Sequence, residues 1–252
     1  MHVTHNMPER QQGLLQAAEL INWKREHGAL HVPVAPLKVI ISPQLNMVLA
    51  KKKLFSKKIK GLSGVHLCIN PSKGIYLSGG WGTGAPALIA VCEELHALGA
   101  KEFYLTGVCG RLTDNMNEGE TMIASKAIRE EGTSQHYLPV PADRHIVSSY
   151  AVGMEKLAQT LYIKAGTFVT TDAPYRETAG KCDLWRTEGA HMIDMETSAL
   201  YAFGNFYNIQ TYAFGVAADS LAGNQWTMAK DYAHVQKQLS TLIDNLIEAI
   251  SQ

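Results

Sequence analysis

The 252-residue chain carries no net charge: 23 lysines and arginines balance 23 aspartates and glutamates. Overall charge therefore gives no reason to expect nucleic acid or an anionic membrane as a partner. Cysteine is scarce. Cys68, Cys92, Cys109 and Cys182 lie far apart and form no C-x-x-C pair. The expectation is reduced thiols in a cytoplasmic protein. Residues 1–13 are polar with no apolar centre, so neither secretion nor a mitochondrial presequence is expected. No apolar run approaches membrane-spanning length. There is no G-x-S-x-G elbow for a serine hydrolase. His66, His96 and His234 are scattered without metal-ligand spacing and read as core or surface residues. Linkers, repeats and low-complexity segments are also missing. What remains is 46% apolar, ample for a sizeable core. Strand and helix signals interleave to the end, as in one α/β domain.

The stretch from Ile75 to Leu112 organises the rest. Ile75-Tyr76-Leu77 reads as a buried strand running into Ser78-Gly79-Gly80-Trp81-Gly82-Thr83-Gly84-Ala85-Pro86. A helix follows over 87–98, with Leu88, Val91, Cys92, Leu95 and Leu98 on one face. Pro86 suits its first turn and Gly99 its C-terminal cap. The next strand, Phe103-Tyr104-Leu105, is expected to end in a second glycine turn, Thr106-Gly107-Val108-Cys109-Gly110. This is a βαβ unit with glycine loops at the carboxyl ends of its strands, where open α/β sheets place ligands. Such loops let backbone N–H groups approach a ligand. Gly80-x-Gly82-x-x-Ala85 formally fits a dinucleotide fingerprint, but Glu102 begins the next strand, and the fingerprint wants its acid at the end.

Around this unit, the pattern predicts a helix over 8–26, with Leu14, Leu15, Ala18, Ile21 and Trp23 as one face. Strands are predicted at 37–41, 121–128, 162–171 and 211–218, and a hairpin at 65–77 around Asn70-Pro71-Ser72-Lys73. Helices are predicted over 143–160 and 226–250. Lys51, Lys52, Lys53, Lys57, Lys58 and Lys60 form a basic cluster that reads mainly as a solvated face. His191 to Tyr201 reads as a strand, two carboxylates at Asp194 and Glu196 with Met195 between them, and then a helix. A glutamate there sits where the helix dipole favours its ionised form, and a helix cap is its plain reading.

Taken together, Gly80-x-Gly82-x-Gly84-x-Pro86, Glu93-Glu94-Leu95-x-Ala97-Leu98-Gly99 and Thr106-Gly107-x-Cys109-Gly110 resemble the nucleoside phosphorylase superfamily, in its hexameric purine nucleoside and uridine phosphorylase branch. The resemblance extends to 129–139, 170–178 and 191–201, covering the chain from about Leu37 onward. It implies a single-domain, three-layer α/β/α fold with a central mixed sheet over 37–252, preceded by a helical extension over 1–36. Glu196 then resembles the glutamate that binds the ribose hydroxyls, with Met195 on the sugar face and Asp194 beside it. Asp219 resembles the aspartate that protonates or hydrogen-bonds N7 of the departing purine. Thr106, Cys109, Gly110, Tyr175 and Arg176 fall in the substrate-binding segments, and Gly82 and Lys60 in the phosphate-binding ones. The resemblance also implies a homo-oligomer, dimer to hexamer, in which Lys60 reaches a neighbour's site. No cofactor is implied, with phosphate as co-substrate.

Cleavage of a glycosidic bond builds positive charge on the sugar and negative charge on the base. A carboxylate at the ribose and an acid at the base both serve that transition state. The phosphate elements depart from the family pattern: Ser42-Pro43-Gln44 lacks its glycine and arginine, Leu105 stands for an arginine and Val108 for a hydroxyl. The uracil-reading Gln-x-Arg pair has no counterpart, which favours a purine. The expectation is a pentosyltransferase releasing free base and ribose 1-phosphate from a small-molecule nucleoside. A hydrolytic nucleosidase, a non-catalytic nucleoside-binding or storage protein, and a dinucleotide-dependent oxidoreductase stand as alternatives.

Overall fold

The computed structural model describes residues 13–45, 57–223 and 225–252. Its elements run β1 (Lys38–Ile41), β2 (Lys57–Ile59), β3 (Val65–Asn70), β4 (Ile75–Gly79), β5 (Glu102–Arg111), β6 (Thr121–Glu130), β7 (His145–Ile146), β8 (Lys164–Thr171), β9 (Ala190–Asp194) and β10 (Gln210–Ser220). The helices are α1 (Ala17–Glu26), α2 (Ala85–Ala97), α3 (Ala151–Leu161), α4 (Ala179–Thr187), α5 (Thr197–Tyr207) and α6 (Tyr232–Ser251).

One mixed sheet joins the strands in the order β10-β6-β8-β9-β5-β1-β4-β3-β2, with β7 beside β6. β10 also pairs with β5 in parallel, from Gln210 opposite Glu102 to Ser220 opposite Arg111. Half of the sheet therefore closes into a ring of β10, β6, β8, β9 and β5. The other half extends from it as an arm of β1, β4, β3 and β2. β5 belongs to both, pairing β1 from Glu102 to Leu105 and β9 at Gly110 and Arg111.

Successive strand residues point to opposite faces of a sheet, and β10 shows what covers each face. Thr211 packs under Gly204 of α5, and the Tyr212 hydroxyl packs under Gly153 of α3. Helices thus flank the sheet on both sides, as the mixed α/β expectation requires. The core runs through both halves, from Ile21 in α1 and Val39 in β1 to Leu239 and Leu246 in α6.

Several boundaries differ from the sequence reading. The 106–110 stretch is no turn; β5 continues through it to Arg111. Its glycines answer to close neighbours instead, since a Cβ on Gly110 would come within 2.8 Å of Ile193 Cγ2. β4 and β5 are not adjacent, because β1 lies between them. The helix expected over 143–160 starts only at Ala151, since Ile146 and His145 pair with Ala127 and Ile128 of β6. The helix expected from Trp226 starts at Tyr232, where the Asp231 side chain caps it. In the first helix, Leu14 and Leu15 lie before its start and are exposed to solvent, while Ile21 enters the core. Residues 8–12 of that expected helix, and Lys51, Lys52 and Lys53, lie outside the described residues.

Candidate active site

The candidate site gathers carboxylates at the ends of β9 and β10 and the glycine loop that follows β4. Gly84 ends the loop after β4 at φ +96°, a left-handed conformation that suits glycine. Its N–H donates to Glu196 Oε1 at 2.6 Å, across 112 residues of sequence. Glu196 Oε2 accepts the Met195 N–H at 3.3 Å. Glu196 occupies the N-cap position of α5 yet does not cap it. The plain helix-cap reading of Glu196 is thereby corrected: the cap is Asp194, whose Oδ2 accepts from the Thr197 N–H at 3.0 Å and from the Thr197 hydroxyl. Freed from capping, the Glu196 carboxylate faces the glycine loop.

Asp194 is anchored on its other oxygen by Thr170 of β8, whose hydroxyl donates to Oδ1 at 2.8 Å. The same Thr170 Oγ1 accepts the Ser198 N–H at 2.9 Å. Ser198 in turn donates to Glu131 at 2.8 Å, and Glu131 gathers the Thr133 and Ser134 N–H groups at 2.6 and 2.9 Å. The loop after β6 is completed by buried Arg129, which donates to Ser134 Oγ, Leu138 O and Pro139 O. Each residue thus braces the next around the start of α5.

Burial raises the pKa of Glu196, and the neighbouring Asp194 charge raises it further, against the Gly84 and Met195 N–H groups. Burial likewise raises Asp194, against the Thr197 and Thr170 donors. Burial thus disfavours the charged form of both carboxyl groups.

Asp219 stands near the end of β10 and accepts the Trp226 indole N–H at 2.6 Å. Its Oδ2 lies 3.6 Å from where a Cβ on Gly110 would stand. The buried Cys109 thiol links the two strand ends: burial pushes its pKa up, with the charges of Asp194, Glu196 and Asp219 adding to it. Burial also pushes Glu177 up to about 7, with Asp219 the next cause.

The structure therefore brings Glu196, Asp194, Met195, Cys109, Gly110 and Asp219 into one neighbourhood. Thr106 is fully buried and its hydroxyl reaches only the Ile41 carbonyl, at 3.3 Å. Tyr175 and Arg176 lie in an exposed short helix over Pro174–Arg176, after β8. Gly82 is exposed in the glycine loop, at φ +115°. Lys60 is not brought to the carboxylates. It follows β2, the outermost strand of the arm, with its backbone paired to His31. Leu105 is buried, as an apolar replacement for a charged side chain should be. Gln44 Oε1 is buried without a hydrogen-bond donor, 3.3 Å from where a Gly107 Cβ would stand. No local pattern marks Thr170, Glu131, Ser198, Glu177 or Trp226, whose roles come from contacts across the fold.

The sheet is mixed and closed on one side, and acids gather at its strand ends against a glycine loop, a place where α/β sheets hold ligands. The family model described as "Phosphorylase superfamily" matches residues 70–250, and the chain belongs to that superfamily. A DeoD-type purine nucleoside phosphorylase of Clostridium novyi is 27% identical over 159 residues, 60% of this chain and 67% of that protein. A guanosine phosphorylase of Halorubrum lacusprofundi is 29% identical over 149 residues, 57% of this chain and 61% of that protein. The crystal structure of uridine phosphorylase from Vibrio fischeri superposes with a TM-score of 0.71 at 21% identity, covering 87% of this chain and 93% of that one. Purine nucleoside phosphorylase from Toxoplasma gondii gives 0.65 at 19%, covering 84% and 90%. The fold is thus that of the nucleoside phosphorylases.

Proposed function

We propose that this chain is a nucleoside phosphorylase-like pentosyltransferase that cleaves the N-glycosidic bond of a purine nucleoside. The observation that carries the reading is the Gly84 N–H on Glu196, with Asp219 close to Gly110, which pairs with Ile193 of β9. Glu196 binds the ribose hydroxyls, Met195 lies on the sugar, and Asp219 meets the base. Asp194 acts through Glu196 by charge and by capping α5. Cys109, Gly110 and Thr106 back the site, and Tyr175 and Arg176 approach from the loop after β8.

Phosphate is the co-substrate, and no cofactor takes part. Its holders are the N–H groups of the glycine loop, including Gly82, and the ammonium of Lys60. Lys60 lies on an outer edge of its own chain, so in this reading a second copy supplies it, and the protein is a cytoplasmic homo-oligomer. Arginine clamps phosphate through a fork that lysine lacks. Leu105 and Val108 withhold two more contacts, each worth about 1.5–3 kcal/mol to an ionised group. Phosphate affinity is therefore weaker than in a relative with the full clamp, by a factor of roughly a hundred or more.

The test is product identification over a phosphate series with purine nucleosides. Ribose 1-phosphate that rises with phosphate and saturates only at high concentration is expected. Free ribose independent of phosphate would assign water as the nucleophile. Uridine cleaved well ahead of inosine and adenosine would overturn the purine assignment.

A further inference from the structure

Asp219 does not stand alone at its strand end. β10 turns back on itself immediately after it: Ser220 and Thr227 exchange two backbone hydrogen bonds, of 2.8 and 3.0 Å. That bridge returns Trp226 to the side of Asp219. The Leu221 N–H is tied to the Arg111 carbonyl at 2.8 Å, and the Leu221 carbonyl accepts from Arg186 at the same distance. The base of the turn is thus anchored to β5 and α4. Trp226 is 58% exposed, although a tryptophan without a task ordinarily seeks burial.

An indole N–H only donates, so in its 2.6 Å bond the Asp219 Oδ2 is the accepting oxygen. The other oxygen, Oδ1, makes no hydrogen bond among the described residues. The bond therefore distinguishes two otherwise equivalent oxygens and fixes the plane of the carboxyl group. Beside it the exposed indole offers a flat apolar surface, which suits an aromatic heterocycle.

Resting on the functional reading above, we propose that Trp226 is the positioning residue of the base site. It holds Asp219 by Oδ2, turns Oδ1 toward the base, and offers its ring as a platform on which the base stacks.

The experiment compares base release by the wild type with W226F, W226A, D219N and the D219N/W226F double variant, together with circular dichroism of each. W226F keeps a ring but loses the donor. Loss of the hydrogen bond that fixes the carboxyl plane should lower kcat about tenfold or more, with KM changed less than about threefold because the ring persists. W226A should lose kcat and also raise KM. D219N alone should slow release by roughly 10²–10⁴-fold, and the double variant should be no slower than D219N, because the indole acts only through that carboxylate. Additive losses in the double variant, or a W226F kcat equal to wild type, would overturn the proposal. A second readout needs no turnover. The difference in tryptophan emission between wild type and W226F should change when a purine nucleoside is titrated, and W226A should bind it more weakly. Binding by wild type without any change in that difference would overturn the proposal even if cleavage is normal. Absence of cleavage with an intact emission change would overturn the catalytic reading and support this one. Absence of binding would overturn both.

Discussion

Glu177 shows how one residue ties the site to pH. Burial, then the Asp219 charge, pushes its carboxyl up to about 7, with Lys181 pulling the other way. A free glutamate titrates near 4.3. Below the unfolded value both states hold the proton and nothing is lost. Between that value and about 7 the folded state holds more protons than the unfolded one, so stability falls as pH rises through this window. Above about 7 the loss is complete. Glu177→Gln should therefore weaken the dependence of Tm on pH between about 4.5 and 7, Asp194 and Glu196 keeping their share, and leave the variant more stable than wild type at pH 8. Thermal melts of both proteins over a pH series check this. Parallel curves would remove Glu177 from the account. The signal for Glu177 is absent from the sequence because a lone glutamate in a polar stretch looks like any surface acid. Asp194 and Glu196 were legible, since two carboxylates between a strand and a helix form a local pattern. Which of the two caps the helix was not, because Gly84 and Thr170 arrive from distant segments.

At the scale of elements, the joint between β8 and α5 carries the most consequence. One hydroxyl, that of Thr170, donates to Asp194 and accepts from the Ser198 N–H, and it is fully buried. Thr170→Val keeps the shape and removes both bonds. It leaves a buried N–H without an acceptor, which costs about 1–3 kcal/mol. Chemical denaturation should show that loss as a lower midpoint with an unchanged slope. An unchanged midpoint would mean that water replaces the hydroxyl. Strands were read well wherever apolar runs are continuous, as in β1, β4 and β10. β5 was read short because Thr106-Gly107-Val108-Cys109-Gly110 has the composition of a turn. Its glycines serve close packing instead, Gly110 against Ile193. The start of α3 is hidden for a related reason: Ile146 fits a helical face equally well, and only its pairing with β6 decides otherwise.

For the molecule as a whole, the mixed α/β architecture was legible from the alternation of strand and helix signals together with the family resemblance. The closure of the sheet was not, because the β5–β10 pairing joins residues about a hundred positions apart and leaves no local trace. Lys60 raises the same difficulty between chains. It stands on the outer edge of the arm, away from the carboxylates of its own chain. A phosphate site that uses it requires a second copy, so light scattering of the full chain should give a mass of at least two chains. A mass of one chain would detach Lys60 from the site.

The double role of β10 has a consequence for how the chain reaches this state during synthesis. β10 pairs with β5 along one edge and with β6 along the other, and it follows every other strand in sequence. Until it leaves the ribosome, β5 and β6 each carry an unpaired edge, and such edges invite pairing with other chains. Contacts between distant segments also form late, because a long loop must close before they contribute. A nascent chain that stalls before Gln210 thus presents two sticky edges at once.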